Sequence, residues 1–243
     1  MKLILCGKGG CGKSTISALL ARACEQRGMN VLVVDADESN FGLHKQLGLP
    51  LPKDFTLFFG FKKGIFQDGA EDVFADGWTL DDLPVEYVSG DGNVRLMAMG
   101  KIAQAGEGCA CPMGVLTKTF LEHLRPGEND IVIVDTEAGV EHFGRGVDRF
   151  ADAILMVADP SYESVQLAGK ILAMGGSFGK PVYLILNKTD ELQSNMMKEA
   201  LPKNADIIAS IPMDREILMS GLRGDALSAV PPQVEEILQK VLE

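Results

Sequence analysis

A glycine-rich turn between a short apolar strand and a helix constrains this chain more than any other feature. Leu3-Ile4-Leu5-Cys6 is apolar at every position and feeds directly into Gly7-Lys8-Gly9-Gly10-Cys11-Gly12-Lys13-Ser14. From Ser14 to Arg27, Ile16, Leu19, Leu20 and Ala23 share one helical face, and Gly28 closes the segment. Glycines let backbone N–H groups converge on a phosphate, and Lys13 neutralises its outer oxygens. The Ser14 hydroxyl ligates magnesium, and the helix start adds a favourable dipole. Gly9, Gly10, Cys11, Gly12, Lys13, Ser14 and Thr15 are therefore the expected cradle for a nucleoside triphosphate.

A local site of this kind is needed because the chain as a whole repels phosphate. Its 243 residues carry a formal charge of -11, which excludes nucleic acid and anionic membrane as partners of the bulk surface. No stretch approaches the ~20 apolar residues of a membrane span, and Leu3 to Cys6 is too short for a signal peptide. A cytoplasmic protein is expected. In that reducing setting, five cysteines favour metal binding or redox chemistry over disulfides.

The rest of the chain alternates strands and helices. Val31–Val34, Ile131–Val134, Ala153 to Val157 and Val182 to Leu186 are apolar throughout, as parallel strands covered on both faces are. Helical patterns fall at 114–125, 161–175, 191–200 and 233–242. The expected fold is α/β, a doubly wound, mostly parallel sheet with helices on both faces, its ligands at the carboxyl ends of the strands. One domain over 1–243 is expected. The segment 49–82, rich in Phe with glycines, Pro50 and Pro52, interrupts it as an irregular lid with a small core of its own or as a partner-binding insertion. Val85–Val88 and Val94–Met99 flank Gly90-Asp91-Gly92-Asn93 as a hairpin.

Two strands end in carboxylates. Val132-Ile133-Val134-Asp135 places Asp135 to hold magnesium through water, and Asp35-Ala36-Asp37 offers Asp37 to position the attacking water. Asn187-Lys188-Thr189-Asp190 spells the string that reads guanine in GTPases.

With Lys8 second in Gly7-Lys8-Gly9-Gly10-x-Gly12-Lys13-Ser14-Thr15, the loop resembles the deviant Walker A loop of the MinD-like P-loop ATPases, which include the nitrogenase iron protein and the chromosome-partitioning ATPases. The likeness extends to Asp35-Ala36-Asp37, Asp135-Thr136-Glu137-Ala138-Gly139 and Ile211-Pro212-x-Asp214. It implies a nucleotide-driven homodimer in which Lys8 reaches the partner's phosphates, and adenine contacted by Asn187, so ATP is preferred over GTP. Gly106-Glu107-Gly108-Cys109-Ala110-Cys111-Pro112-Met113 looks like the Cys-x-Cys loop of the CooC-type nickel-insertion ATPases that mature carbon monoxide dehydrogenase, and Asp135 to His142 looks like their switch segment.

Two thiolates are half of a four-ligand site. Two-fold symmetry presents Cys109 and Cys111 twice and completes an S4 site suited to zinc, or to Ni(II) if flattened. The implied activity is an ATPase that carries nickel to a client enzyme. Other members of the wider family offer two rivals. One is a partitioning or division-site ATPase, against which the acidic tail Val234–Glu243 argues. The other is a reductase with a [4Fe–4S] cluster, for which the segment after Asp135 lacks a cysteine. Cys6 and Cys24 read as small core hydrophobes, and Cys11 as a variable loop position. His44, His123 and His142 read as ordinary histidines, His142 being the nearest of them to a ligand candidate.

Overall fold

The computed structural model describes residues 1–60, 73–90, 92–102, 111–140 and 146–243. In chain order the elements are β1 (Lys2–Gly7), α1 (Lys13–Gln26), β2 (Asn30–Ala36), α2 (Leu43–Gln46), β3 (Val88–Ser89), β4 (Val94–Ala98), α3 (Cys111–His123), β5 (Asp130–Thr136), β6 (Ala153–Ala158), α4 (Tyr162–Ser177), β7 (Val182–Asn187), α5 (Glu191–Ala200), β8 (Asp206–Ile211), α6 (Arg215–Arg223) and α7 (Pro232–Leu242). Short 3-10 turns span Phe55–Phe59, Val85–Tyr87 and Val147–Phe150.

The strands form one eight-stranded sheet in the order β3-β4-β2-β5-β1-β6-β7-β8, parallel except for β3. Successive side chains of a strand point to opposite faces, so a strand buried on both must be apolar throughout. Ile4, Val34, Val132 and Met156 pack on one face with Leu116 and Phe120 of α3 and Ile171 of α4. Leu3, Leu5, Val33 and Ile133 pack on the other with Ile16, Leu19 and Leu20 of α1 and Ile237 and Leu238 of α7. Each such buried side chain contributes about 1.5–3 kcal/mol relative to exposure. The strand order reverses at β1, placing the turn after it at the crevice where open α/β sheets bind ligands.

Three expectations need correction. Among the described residues, the aromatics of 49–82 do not form a core of their own. Phe55 and Phe74 are fully buried and belong to the same cluster as α3, with Phe55 and Phe120 ring centroids 5.8 Å apart and Phe74 and Trp78 4.8 Å apart. Residues 61–72 of that segment lie outside the described residues. The hairpin is shorter than expected: Val88 and Ser89 alone pair with Met97 and Leu96, and Val85–Tyr87 is a 3-10 turn after Pro84. The turn residue Asp91 is also outside the described residues. Finally, β8 and α6 were not anticipated. β8 is a half-covered edge strand, and α6 buries no residue, so neither repeats the apolar signature of the central elements.

Candidate functional site

β1 ends at Gly7, in register with Val157 of β6, while Leu5 is in register with Asp135 of β5. Gly7 adopts a φ of 148°, and a β-carbon there would collide with the Val157 carbonyl oxygen and the Cys11 sulfur. Gly12 caps α1 in the left-handed region, at φ 103°, and a side chain there meets the Asn187 carboxamide. Gly7 and Gly12 are thus positions that glycine alone occupies without strain. Lys13 is buried, and its ammonium lies 3.4 and 3.5 Å from the carbonyl oxygens of Lys8 and Gly7, folded back across the loop. The switch-like segment after β5 leans on this loop, since the Gly139 N–H donates to the Gly7 carbonyl at 3.1 Å.

The structure brings Ser14 and Asp135 together. The Ser14 hydroxyl donates to Asp135 Oδ2 at 2.5 Å and accepts from Asn40 Nδ2 at 2.6 Å; Ser17 Oγ lies 3.4 Å from Asp135 Oδ1. Burial pushes the Asp135 carboxyl up to about 6. The Ser14 hydrogen bond and the Lys13 charge oppose this, and the nearby Asp37 charge reinforces it. A hydroxyl beside a carboxylate is a set of hard oxygen donors, the kind magnesium takes.

Asp37 sits on the loop leaving β2. Its Oδ1 accepts from the Ser39 N–H at 3.0 Å and the Ser39 hydroxyl at 2.7 Å, which turns the carboxylate along its own loop. Behind it, Lys101 is buried with its Nζ 2.6 Å from Asp35 Oδ2, 2.6 Å from the Asp37 carbonyl oxygen and 2.5 Å from that of Asn40. Burial raises the Asp35 carboxyl to about 7 against the pull of Lys101, and Asp135 pushes the same way as burial.

Lys8, unlike Lys13, points out of the loop. Its ammonium contacts Asp159 Oδ2 at 3.0 Å and the Ser161 hydroxyl at 2.9 Å, and the side chain keeps 31% exposure. Asp159 is itself fixed by hydroxyl donation from Ser161 and Ser164, and these bonds with Lys8 hold its carboxyl below the usual range despite partial burial.

A cleft of about 200 Å³ lies beside the loop, lined by Thr15, Asn187, Pro212, Met213, Leu218 and Leu222 among others. The Asn187 carboxamide is buried and donates to the Cys11 carbonyl at 2.8 Å, joining cleft to loop. Lys188, at a left-handed φ of 61°, reaches back to the Gly10 carbonyl at 2.7 Å. Asp190 does not line the cleft. Its Oδ1 accepts from the Gln193 N–H at 2.7 Å, and Gln193 Oε1 accepts from the Asp190 N–H at 2.9 Å, so it serves as the N-terminal cap of α5.

Cys6, Cys11 and Cys24 are buried free thiols. Burial raises Cys6 well above the ordinary thiol range, Cys11 to about 11 despite the Lys13 charge, and Cys24 to about 12. With a pKa near 11, about one Cys11 in a thousand is thiolate at pH 8, too few for ready alkylation. Iodoacetamide treatment of the native protein at pH 8, read by peptide mass spectrometry, is expected to leave all three unmodified. Labelling before unfolding would contradict their burial. Cys111 opens α3. Cys109 and His142 lie outside the described residues. His44 is half-buried on α2 and His123 closes α3, its Nδ1 against the Thr119 carbonyl.

Asn40, Lys101 and Asp159 went unread in the sequence, whereas Lys188 was visible there only as part of the Asn187–Asp190 string. Asn40 had a local signal, three residues beyond Asp37 on the same strand exit. Lys101 and Asp159 are brought in from elsewhere in the chain by the sheet order.

A phosphate-cradling turn at the switch point of a parallel sheet, flanked by Ser14 and Asp135, defines a P-loop nucleotide-binding protein. The chain belongs to the CobQ/CobB/MinD/ParA nucleotide-binding domain family, whose sequence profile matches residues 2–227. It is 46% identical over 246 residues to an uncharacterized ATP-binding protein of Methanocaldococcus jannaschii, covering 98% of each chain. It is 32% identical over 225 residues to the carbon monoxide dehydrogenase accessory protein CooC of Rhodospirillum rubrum, covering 89% of this chain and 85% of CooC. The fold matches the septum site-determining protein MinD of Pyrococcus horikoshii, solved with Mg-ADP, at a TM-score of 0.67 and 20% identity over 99% of this chain and 94% of that one. No helix among the described residues is long and apolar enough to cross a membrane.

Proposed function

We propose that this protein is an ATP-dependent metallochaperone, all 243 residues acting as one unit, that dimerises with nucleotide and delivers nickel to a client enzyme of the carbon monoxide dehydrogenase kind. The observation that carries the proposal is chain order at the sheet edge. β4 runs parallel to β2, so it ends at the sheet edge that holds the phosphate loop, and the next described element, α3, opens at Cys111, two residues after Cys109 in the sequence. The 32% identity to CooC supports the same reading.

In this reading Gly9 to Thr15 hold the phosphates, Ser14 and Asp135 hold magnesium, Asp37 positions the attacking water, and Lys8 supplies a cation to the partner's site. Cys109 and Cys111 of two chains hold one Ni(II) or Zn(II) as cargo. Nucleotide and metal then act on the same association and must alter each other's affinity reciprocally. The thiols must stay reduced to bind metal, which places the protein in the cytoplasm.

The base is adenine. Asn187 and the Ile211–Asp214 turn line the cleft, and Asp190 is committed to a helix end. Asp190→Ala should cost about 1 kcal/mol of stability through the lost cap while leaving the preference for ATP over GTP unchanged. Competition of ATP and GTP for a fluorescent nucleotide, with denaturant melts alongside, measures both. Preference for GTP, or loss of nucleotide binding in the variant, would point to guanine instead.

A further inference from the structure

We propose that Lys101 is a positioning residue for hydrolysis, setting the backbone from which Asp37 and Asn40 act. This rests on the reading of the chain as an ATPase. A lysine this deeply buried, 4% side-chain exposure beside 2% for Asp35, needs every donor matched. It makes three short contacts, and only one is to a charge. The other two go to the carbonyl oxygens of Asp37 and Asn40, at 2.6 and 2.5 Å. Charge neutralisation alone asks for Asp35 and nothing more. The two carbonyl contacts fix the chain at both ends of Asp37–Asn40.

Two backbone hydrogen bonds act in the same place. Met99 N–H donates to the Asp35 carbonyl at 2.9 Å, and Ile102 N–H to the Glu38 carbonyl at 3.1 Å. The exit of β4 therefore continues along the exit of β2, and Lys101 pins the two together. The Phe41 ring centroid, 5.8 Å from Nζ, adds a face toward the cation. The result reaches the phosphate loop through Asn40, whose carboxamide donates to Ser14 Oγ at 2.6 Å. Lys101 touches neither the loop nor the cleft, so its effect belongs on the hydrolytic step rather than on nucleotide binding.

The test separates positioning from charge balance. Lys101→Met removes all three contacts but leaves Asp35 buried without its cation. The double variant Lys101→Met with Asp35→Asn restores neutrality and still lacks the carbonyl contacts. If Lys101→Met fails to fold, the double variant carries the test. Steady-state ATP hydrolysis is expected to show kcat lower by about tenfold to a hundredfold with KM within about threefold of wild type, in the double variant as in the single. Hydrogen exchange should show the Asn40 and Ile102 amides opening about tenfold or more faster in both. Wild-type turnover in the double variant, or unchanged exchange at those two amides, would reduce Lys101 to a counter-ion of Asp35. Absence of turnover in the wild type would instead remove the ATPase reading, while the exchange result still reports on Lys101.

Discussion

Lys8→Ala is expected to bind magnesium-ATP within about threefold of wild type and to hydrolyse it at least about a hundredfold more slowly, since a cation supplied in trans to a transferring phosphoryl group is worth about 10³–10⁵ in rate. The two lysines of the loop are placed for different tasks. Lys13 is buried and folded over the loop carbonyls, where in the proposed function it meets phosphate on its own chain. Lys8 points away and is held by Asp159 and Ser161 at 3.0 and 2.9 Å. To act on a partner's phosphates it must exchange these contacts for the partner, which makes turnover depend on association.

Mixing variants isolates this. Lys8→Ala lacks the donated cation and Asp37→Ala lacks the water-positioning carboxylate, so neither homodimer turns over. A mixed dimer places the intact Lys8 of the Asp37→Ala chain against the site that still has Asp37, and activity returns. If Lys8 serves its own site, the mixture stays inactive. Normal hydrolysis by Lys8→Ala alone removes the trans role altogether.

The second large effect concerns cargo. Protein loaded anaerobically with zinc or nickel and freed of excess should carry about one metal per two chains, and Cys109→Ser or Cys111→Ser should carry almost none. Each substitution removes two of four ligands at once, because symmetry applies it twice. The remaining pair of thiolates competes poorly with a modest chelator. Cys6, Cys11 and Cys24 are buried within the two faces of the sheet and supply no alternative. Unchanged stoichiometry in either variant would sink the assignment.

The sequence showed most clearly what local patterns encode. Apolar runs at Leu3–Cys6, Val31–Val34 and Ile131–Val134 are strands because both faces are covered, and Gly7 and Gly12 mark points of the loop where a side chain would collide. β8, a half-covered edge strand, and α6, which buries no residue, lacked that signature. The Phe-rich stretch was visible, but its membership of the main core was not, since Phe120 comes from a distant helix. At the site, Ser14 and Asp135 were legible because a phosphate loop demands a carboxylate at a neighbouring strand end. Lys101 and Asp159 were not legible. Their partners are chosen by which strands lie side by side, a property of the whole sheet rather than of any motif.

In the proposed function, association is the property on which nucleotide and cargo both depend. Anaerobic gel filtration with light scattering and metal analysis, run without nucleotide, with ADP and with ATP, each with and without nickel, tests it directly. The expected result is a dimer that gains population with ATP and with metal, and most with both, the metal eluting at about one per dimer. A chain that elutes as a monomer under every combination, or metal that follows the monomer, would contradict it.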